Sequence, residues 1–328
     1  SRPLVLQITA AGQMGNFLFR THVKALVRRC LQGGQLAEWC NRDDIEDVDA
    51  LQSALRQAGV EACNLIVGID FTNSNREQGV KTFHGLSLHA LDSPRGPNPY
   101  EQCLELIGRA LHVIDGGPGS RVPAYIFGDN TTRHRSVRLL KGSVCTGMAQ
   151  VLDAYRDEVK KAVFWGPTSF APLIREAIRI VELSASESGS AELHLLLILA
   201  DGQVQEVEDC LADTYAAIID AARCPLSIVM VGIGDGPWGA MRNFDDGLPA
   251  RDFDNFQFVP FAEFQEEIAS ARSDTRKKVL EAAFSLCALQ ELPAQVKAMK
   301  NLRMLGPSKR AAEEKAPEPP LKRARLTG

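Results

Sequence analysis

Asp70, Thr72 and Ser74 stand at alternate positions directly after the apolar run Leu65-Ile66-Val67-Gly68-Ile69. One carboxylate and two alcohols are hard oxygen donors, suited to Mg²⁺ or Ca²⁺ rather than to zinc. Two other stretches carry matching groups. Thr168 lies in Gly166-Pro167-Thr168-Ser169-Phe170, immediately before a predicted helix, and Asp201 closes the aliphatic run 192–200 in Ala200-Asp201-Gly202. Together these two carboxylates and three hydroxyls offer oxygens to one octahedral cation, with the remaining positions left to water or to an acidic side chain of another protein. Mg²⁺ is the expected ion, with Mn²⁺ or Ca²⁺ as alternatives. Taken alone, D-x-T-x-S is a weak pattern, because Thr72 and Ser74 would equally well cap the following turn by accepting backbone N–H groups.

The elements that must position these residues are read from periodicity. The run ending at Asp70 has the length and Ile/Val content of a buried strand of a parallel sheet. From residue 64 to about 265 such runs alternate with amphipathic segments, which predicts an α/β fold: a doubly wound, largely parallel six-strand sheet flanked by helices. Strands are expected at 64–70, 124–127, 192–200, 226–231 and 257–259, with a short candidate at 86–91. Helices are expected at 47–59, 100–114, 148–163, 170–183, 205–222, 261–270 and 274–292. In open sheets of this kind ligands gather at the carboxyl ends of the strands, where the donors stand.

Three segments are assigned: a partly disordered N-terminal extension (1–46), an α/β domain with a C-terminal docking helix (47–305), and a basic, Pro-rich disordered tail (306–328). The stretch 17–31 is mildly amphipathic and basic through Arg20, Lys24, Arg28 and Arg29. It reads as a peripheral helix or lead-in, with a membrane-surface helix as the rival. In the tail, Lys309 and Arg310 precede a spacer and then Lys322, Arg323 and Arg325, the layout of a bipartite nuclear import signal that would meet an acidic groove on an import receptor.

A formal net charge of −4 over 328 residues gives no bulk attraction to nucleic acid or to anionic membranes. No apolar run approaches the ~20 residues of a membrane span. The eight cysteines contain no C-x-x-C pair, which argues against a zinc module and a disulfide framework and for a reducing compartment, cytoplasm or nucleus. The six histidines show no catalytic or metal-ligand spacing. Gly232, Gly234 and Gly236 lack the G-x-G-x-x-G spacing, and Pro237 intrudes, so a tight turn is expected there. Asp129, after Gly128, is either an outer-shell acid or a turn residue.

Asp70-Phe71-Thr72-Asn73-Ser74-Asn75 resembles the metal-ion-dependent adhesion site of a von Willebrand factor A domain. More narrowly, NLIVGIDFTNSN, NPYEQCLELIG, YIFGD, GPTSFAPLI, ILADGQV, PLSIVMVGIGDGPW and ARDFDNFQFV resemble the copine A domain and the plant copine-like RING-domain ubiquitin ligases. The resemblance implies Asp70, Thr72, Ser74, Thr168 and Asp201 as metal-site residues and metal-dependent binding of a protein ligand. Copines carry two C2 domains before the A domain and the plant ligases end in a RING. Nothing of C2 size precedes residue 47, and no Cys/His ligand set follows Cys287. The resemblance therefore implies the binding function more than Ca²⁺-driven membrane docking. The alternative is the substrate-binding part of a ubiquitin ligase whose RING is lost or on another chain. A phosphatase of the haloacid-dehalogenase type would place its nucleophile at Asp70, but it needs an acid two residues on, and Thr72 cannot shuttle a proton near neutral pH as a carboxyl can.

Overall fold

The structure, a computed structural model, describes residues 19–28 and 45–306 except 95, 113, 115–116, 203, 205–208 and 249–250. The tail with Lys309, Arg310, Lys322, Arg323 and Arg325 lies outside the described residues, as do 1–18 and the first residues of the helix expected at 205–222.

After a helix at 19–28 (α1) come α2 (Val48–Gln57), β1 (Asn64–Asp70), α3 (Pro99–Leu111), β2 (Arg121–Val122), β3 (Ala124–Phe127), β4 (Arg138–Leu139), β5 (Cys145–Thr146) and α4 (Gly147–Val159). The chain continues through α5 (Ala171–Ser188), β6 (His194–Ala200), α6 (Cys210–Ala221), β7 (Leu226–Gly232), α7 (Gly239–Asp246), β8 (Phe256–Pro260), α8 (Ala262–Ala269), α9 (Asp274–Leu289) and α10 (Leu292–Asn301). The main sheet has the order β4-β3-β1-β6-β7-β8, parallel except for the β3–β4 pair. This is the doubly wound α/β architecture expected from the alternation, a von Willebrand A-type fold. From β1 the chain builds outward to β3 and β4, then returns across β1 to start β6, β7 and β8. The reversal falls between β1 and β6, so a crevice opens at their carboxyl ends. Asp70 is the last residue of β1 and Asp201 directly follows β6.

Side-chain alternation divides the core into two layers, as a pleated sheet requires. Leu65, Val67 and Ile69 of β1, with Leu195, Leu197 and Leu199 of β6, face one layer, covered by α2, α3, α4, α8 and α9. Ile66, Leu196, Ile198, Ile228 and Met230 face the other, under α5, α6 and α7. Gly68 is required where α5 crosses β1: a Cβ there would lie 2.1 Å from Leu173 Cδ2. That close approach seats the helix whose leading loop carries Thr168.

Several expectations are corrected. The segment 86–91 forms turns rather than a strand. Burial does not alternate along it: the adjacent Leu88 and His89 are both buried while Leu86 is exposed. The stretch 274–292 ends at Leu289 and is followed by a separate helix, α10, with Pro293 in its first turn. The short strands β2, β4 and β5 carry too few residues to give a period. Helix α1 turns Val23, Leu26 and Val27 into the protein, and Arg276 of α9 stacks on Phe19. Its apolar side is therefore used in packing, which leaves the membrane-helix rival without a free hydrophobic face. None of the six cysteines among the described residues is in a disulfide, and five are buried. No helix among them is long and apolar enough to cross a membrane.

The α5–β1 contact gives the first prediction. Gly68→Val overpacks a site with no room and should lower stability by about 1–3 kcal/mol, read as a fall in the urea midpoint. An unchanged midpoint would mean that α5 is not clamped on β1 as described.

Candidate metal centre

The end of β1 is locked by its own acid. Asp70 is fully buried, and its Oδ1 accepts the backbone N–H of Thr72 at 2.7 Å. That bond fixes the turn that aims Thr72 and Ser74 back at the crevice. The Thr72 and Ser74 hydroxyls lie 3.0 Å apart, and Ser74 Oγ donates to Asp201 Oδ1 at 2.9 Å. Thr72 Oγ1 lies 3.5 Å from the same Asp201 oxygen. Four of the five expected residues thus form one hydrogen-bonded cluster. Trp165, three residues before Thr168, pairs with Thr72 in a parallel bridge, and its carbonyl accepts the Asn73 N–H. Thr168 is buried, and its hydroxyl makes no hydrogen bond among the described residues.

The two carboxylates are left incomplete. Asp70 Oδ2 and Asp201 Oδ2 are buried and without hydrogen-bond partners among the described residues. Burial pushes the Asp70 carboxyl up to about 6 despite opposing hydrogen bonds from Thr72 and Asp201. Burial and the neighbouring Asp70 charge hold Asp201 well above the usual carboxylate range. Two negative groups in a dry crevice disfavour one another's ionisation, and a divalent cation between them would reverse that sign. A donor set of two carboxylates and three alcohols fits a hard, oxygen-seeking ion, and the orphaned oxygens point to one. Among the described residues no group of three His, Cys, Asp or Glu side chains could hold a metal ion.

Other residues surround these groups and have no distinctive spacing along the chain. Gly128 has φ of 78°, and a Cβ there would lie 2.4 Å from Thr72 Cγ2 and 3.2 Å from Asp70 Oδ1. Only glycine leaves room for the turn beside the acid. His89 is buried between Phe71 and Tyr100, with ring centroids 4.6 Å and 4.0 Å away. Its Nε2 is 2.8 Å from the Asp70 carbonyl oxygen and its Nδ1 is 2.8 Å from Tyr155 Oη. The carbonyl can only accept, so Nε2 carries the proton and Nδ1 accepts from the phenol. Asn75 Nδ2 donates to the Thr72 carbonyl at 3.1 Å, while its Oδ1 accepts from Tyr100 Oη at 2.6 Å. Asn98 and Glu101 cap α3 reciprocally, and Arg156 holds Glu101 at 2.6 Å. The floor of the centre is thus tied to the start of α3 through side chains scattered from 75 to 156.

Asp129 proves to be a turn residue. It accepts from the Thr132 hydroxyl at 2.7 Å and pairs with Arg138 at 2.9 Å. Burial alone would raise its pKa, but hydrogen bonds from Thr132, Thr131 and Arg138 outweigh it and hold the carboxyl below its usual range. The Gly-rich stretch after β7 is a turn as well: Asp235 accepts the backbone N–H groups of Lys81 and Thr82, each at 2.9 Å. It thereby pins the loop that follows the Thr72 turn.

Residues 87–308 match the family model described as Copine. The chain belongs to the copine family. It is 42% identical over 288 residues to the E3 ubiquitin-protein ligase RGLG2 of Arabidopsis thaliana, covering 85% of this chain and 58% of that protein. To RGLG3 of the same plant it is 42% identical over 270 residues, 79% of this chain and 70% of that one. Copine family protein 1 of Caenorhabditis elegans is 39% identical over 263 residues, 80% of this chain but 22% of that protein. The chain spans 56 to 60% of the length of RGLG2, RGLG1 and RGLG5. Among solved structures, the copine domain is similar to manganese-loaded Plasmodium vivax TRAP protein (14% identity, 64% of this chain and 72% of that one, TM-score 0.39). It is also similar to mussel byssus proximal thread matrix protein 1 with a zinc occupied MIDAS motif (10% identity, 66% of this chain and 48% of that one, TM-score 0.38).

The histidine under the centre carries its own test. Burial holds the His89 pKa down to about 3, below its ordinary value of 6.5. The unfolded chain takes up a proton as pH falls through 6.5, whereas the folded chain does not until about 3. The stability that neutral His89 contributes is therefore full above pH 6.5 and is lost on acidification, by up to about 1.4 kcal/mol per pH unit. The stability difference between wild type and His89→Gln, measured by urea unfolding in chelator from pH 7.5 to 5, should shrink accordingly. A pH-independent difference would contradict the buried neutral ring.

Proposed function

We propose that this copine domain is a protein-recognition module that holds one divalent cation, Mg²⁺ or alternatively Mn²⁺ or Ca²⁺, at the carboxyl edge of its sheet. Asp70, Thr72, Ser74, Thr168 and Asp201 would hold the ion, directly or through water. The single observation that carries this reading is the pair of buried carboxylates whose Oδ2 atoms lack partners among the described residues, beside the Thr72 and Ser74 hydroxyls. The bound ion would supply an electrophilic contact for an acidic side chain of a protein partner. The chain's own residues would orient that contact and keep water from the Asp70 side. No bond is made or broken in this role.

The cation reading makes opposite predictions with and without metal. In chelator, Asp70→Asn removes a buried charge that has no counter-ion, and should stabilise the fold, on the order of 1–3 kcal/mol. In millimolar Mg²⁺ or Mn²⁺ the wild type should gain melting temperature by mass action, whereas Asp70→Asn and Asp201→Asn should not respond. An identical cation response in all three proteins would sink the reading.

A second reading rests on the likeness to the RGLG ligases: the domain is the substrate-binding part of a ubiquitin ligase whose RING lies outside these residues or on another chain. The test is ubiquitin transfer in vitro with a ubiquitin-conjugating enzyme, with and without a RING partner. Transfer to a bound protein that requires this chain would support it. RING-dependent transfer indifferent to the chain would refute it.

A further inference from the structure

The rim of the centre carries a second set of groups that the cation does not use. Six large apolar side chains are exposed among the described residues: Val80, Leu86, Val163, Trp165, Leu183 and Leu302. Four of these lie on loops at the carboxyl edge of the sheet, the edge that carries the acid pair. Val80 and Leu86 sit in the loop after the Thr72 turn, which Asp235 pins to the end of β7. Val163 accepts the N–H of Asn130 beyond β3, and Trp165, 45% exposed, pairs with Thr72 itself.

Two arginines stand among them. Arg76 ends the turn that presents Ser74, and its guanidinium lies 5.2 Å from the Phe164 ring centroid. Arg133 lies 5.1 Å from the Trp165 ring, and its carbonyl accepts the N–H of Gly128, the residue packed against Asp70. Both side chains are exposed, and neither makes an ion pair or side-chain hydrogen bond among the described residues. Asp129, whose carbonyl accepts the Arg133 N–H, and Glu158 are already paired, both with Arg138 and Glu158 also with Lys161. A guanidinium carries N–H donors in a planar fork that matches a carboxylate. Neither fork is spent on an acid among the described residues.

We propose that Arg76, Arg133 and Trp165 form a rim that binds an acidic segment of a partner protein, with successive carboxylates meeting the arginines and apolar side chains packing on Trp165. The proposal rests on the cation reading for one of those carboxylates, which would enter the metal position. It adds charge complementarity beyond a single acid. Trp and Arg are also the residue types that carry most of the energy in protein interfaces. A lone acidic residue on an otherwise neutral surface would then bind weakly, and a run of acids would bind well.

The test uses the full chain and a fluorescein-labelled octaglutamate peptide, with octaglutamine as control, read by fluorescence anisotropy in Mg²⁺ and in chelator. Arg76→Glu/Arg133→Glu should weaken octaglutamate binding by roughly tenfold or more, and Trp165→Ala should weaken a variant peptide carrying one leucine. All of these proteins should keep the Mg²⁺-dependent rise in melting temperature, which reports both folding and the cation. Unchanged peptide affinity in the double variant, with the cation response intact, would overturn the rim. Equal binding of octaglutamine by wild type would do the same. Arginine-dependent octaglutamate binding by a wild type that shows no cation response would overturn the metal reading and leave the rim standing.

Discussion

Two carboxylates, Asp70 and Asp201, are buried beside one another at the strand ends, and each keeps one oxygen without a hydrogen-bond donor among the described residues. In a low-dielectric setting such a pair is costly unless something positive or a proton lies between. The fold does not relieve the conflict. It builds it, by placing the end of β1 next to the end of β6 at the one position where the sheet reverses direction. The Thr72 N–H stabilises one Asp70 oxygen, and the Ser74 hydroxyl stabilises one Asp201 oxygen. The other two oxygens are left facing the site. Contrast Asp129, also buried, whose carboxylate is saturated by two threonines and an arginine. The same chain therefore fully compensates a structural acid and leaves two others uncompensated, side by side.

Holding such an arrangement requires a rigid floor. The aromatic stack of Phe71, His89 and Tyr100 sits under the strand end, and its polar atoms form a closed relay from the Asp70 carbonyl to Tyr155. Asn75 ties the Thr72 carbonyl to Tyr100, and Tyr100 belongs to α3, whose first turn is fixed by a capping box. Helix capping, ring packing and strand-end geometry are in this way mechanically joined. The rim differs in character, because Arg76, Arg133 and Trp165 are exposed and arranged by stacking rather than by burial. A stiff interior with an adaptable border is the arrangement expected of a recognition surface.

Much of this was legible in the chain. The aliphatic runs at 64–70, 192–200 and 226–231 fix β1, β6 and β7 because strands buried on both faces read as continuous apolar segments. The acid and hydroxyl spacing after β1, with Thr168 and Asp201 at comparable positions, named the candidate donors. The relay beneath them was not legible. His89 meets the Asp70 carbonyl and Tyr155 of α4 meets His89 only in the folded chain, and no local period encodes those meetings. The alternation of 86–91 was misleading, because burial does not follow it: Leu88 and His89 are both buried. Arg76 and Arg133 fall in no motif of the chain; only their approach to the Phe164 and Trp165 rings sets them apart. The separation of α9 from α10 hangs on one proline, Pro293, which starts a helix as readily as it interrupts one.

The proposed role requires that Asp70 and Asp201 together hold one divalent ion. Manganese is the direct probe, since free Mn²⁺ gives a strong paramagnetic resonance signal that falls on binding. Titrating the full chain with Mn²⁺ at neutral pH should show one saturable site per chain, displaced by Mg²⁺ and absent from Asp201→Asn. Saturable binding of the same strength in Asp201→Asn and Asp70→Asn, or none in the wild type, would contradict it.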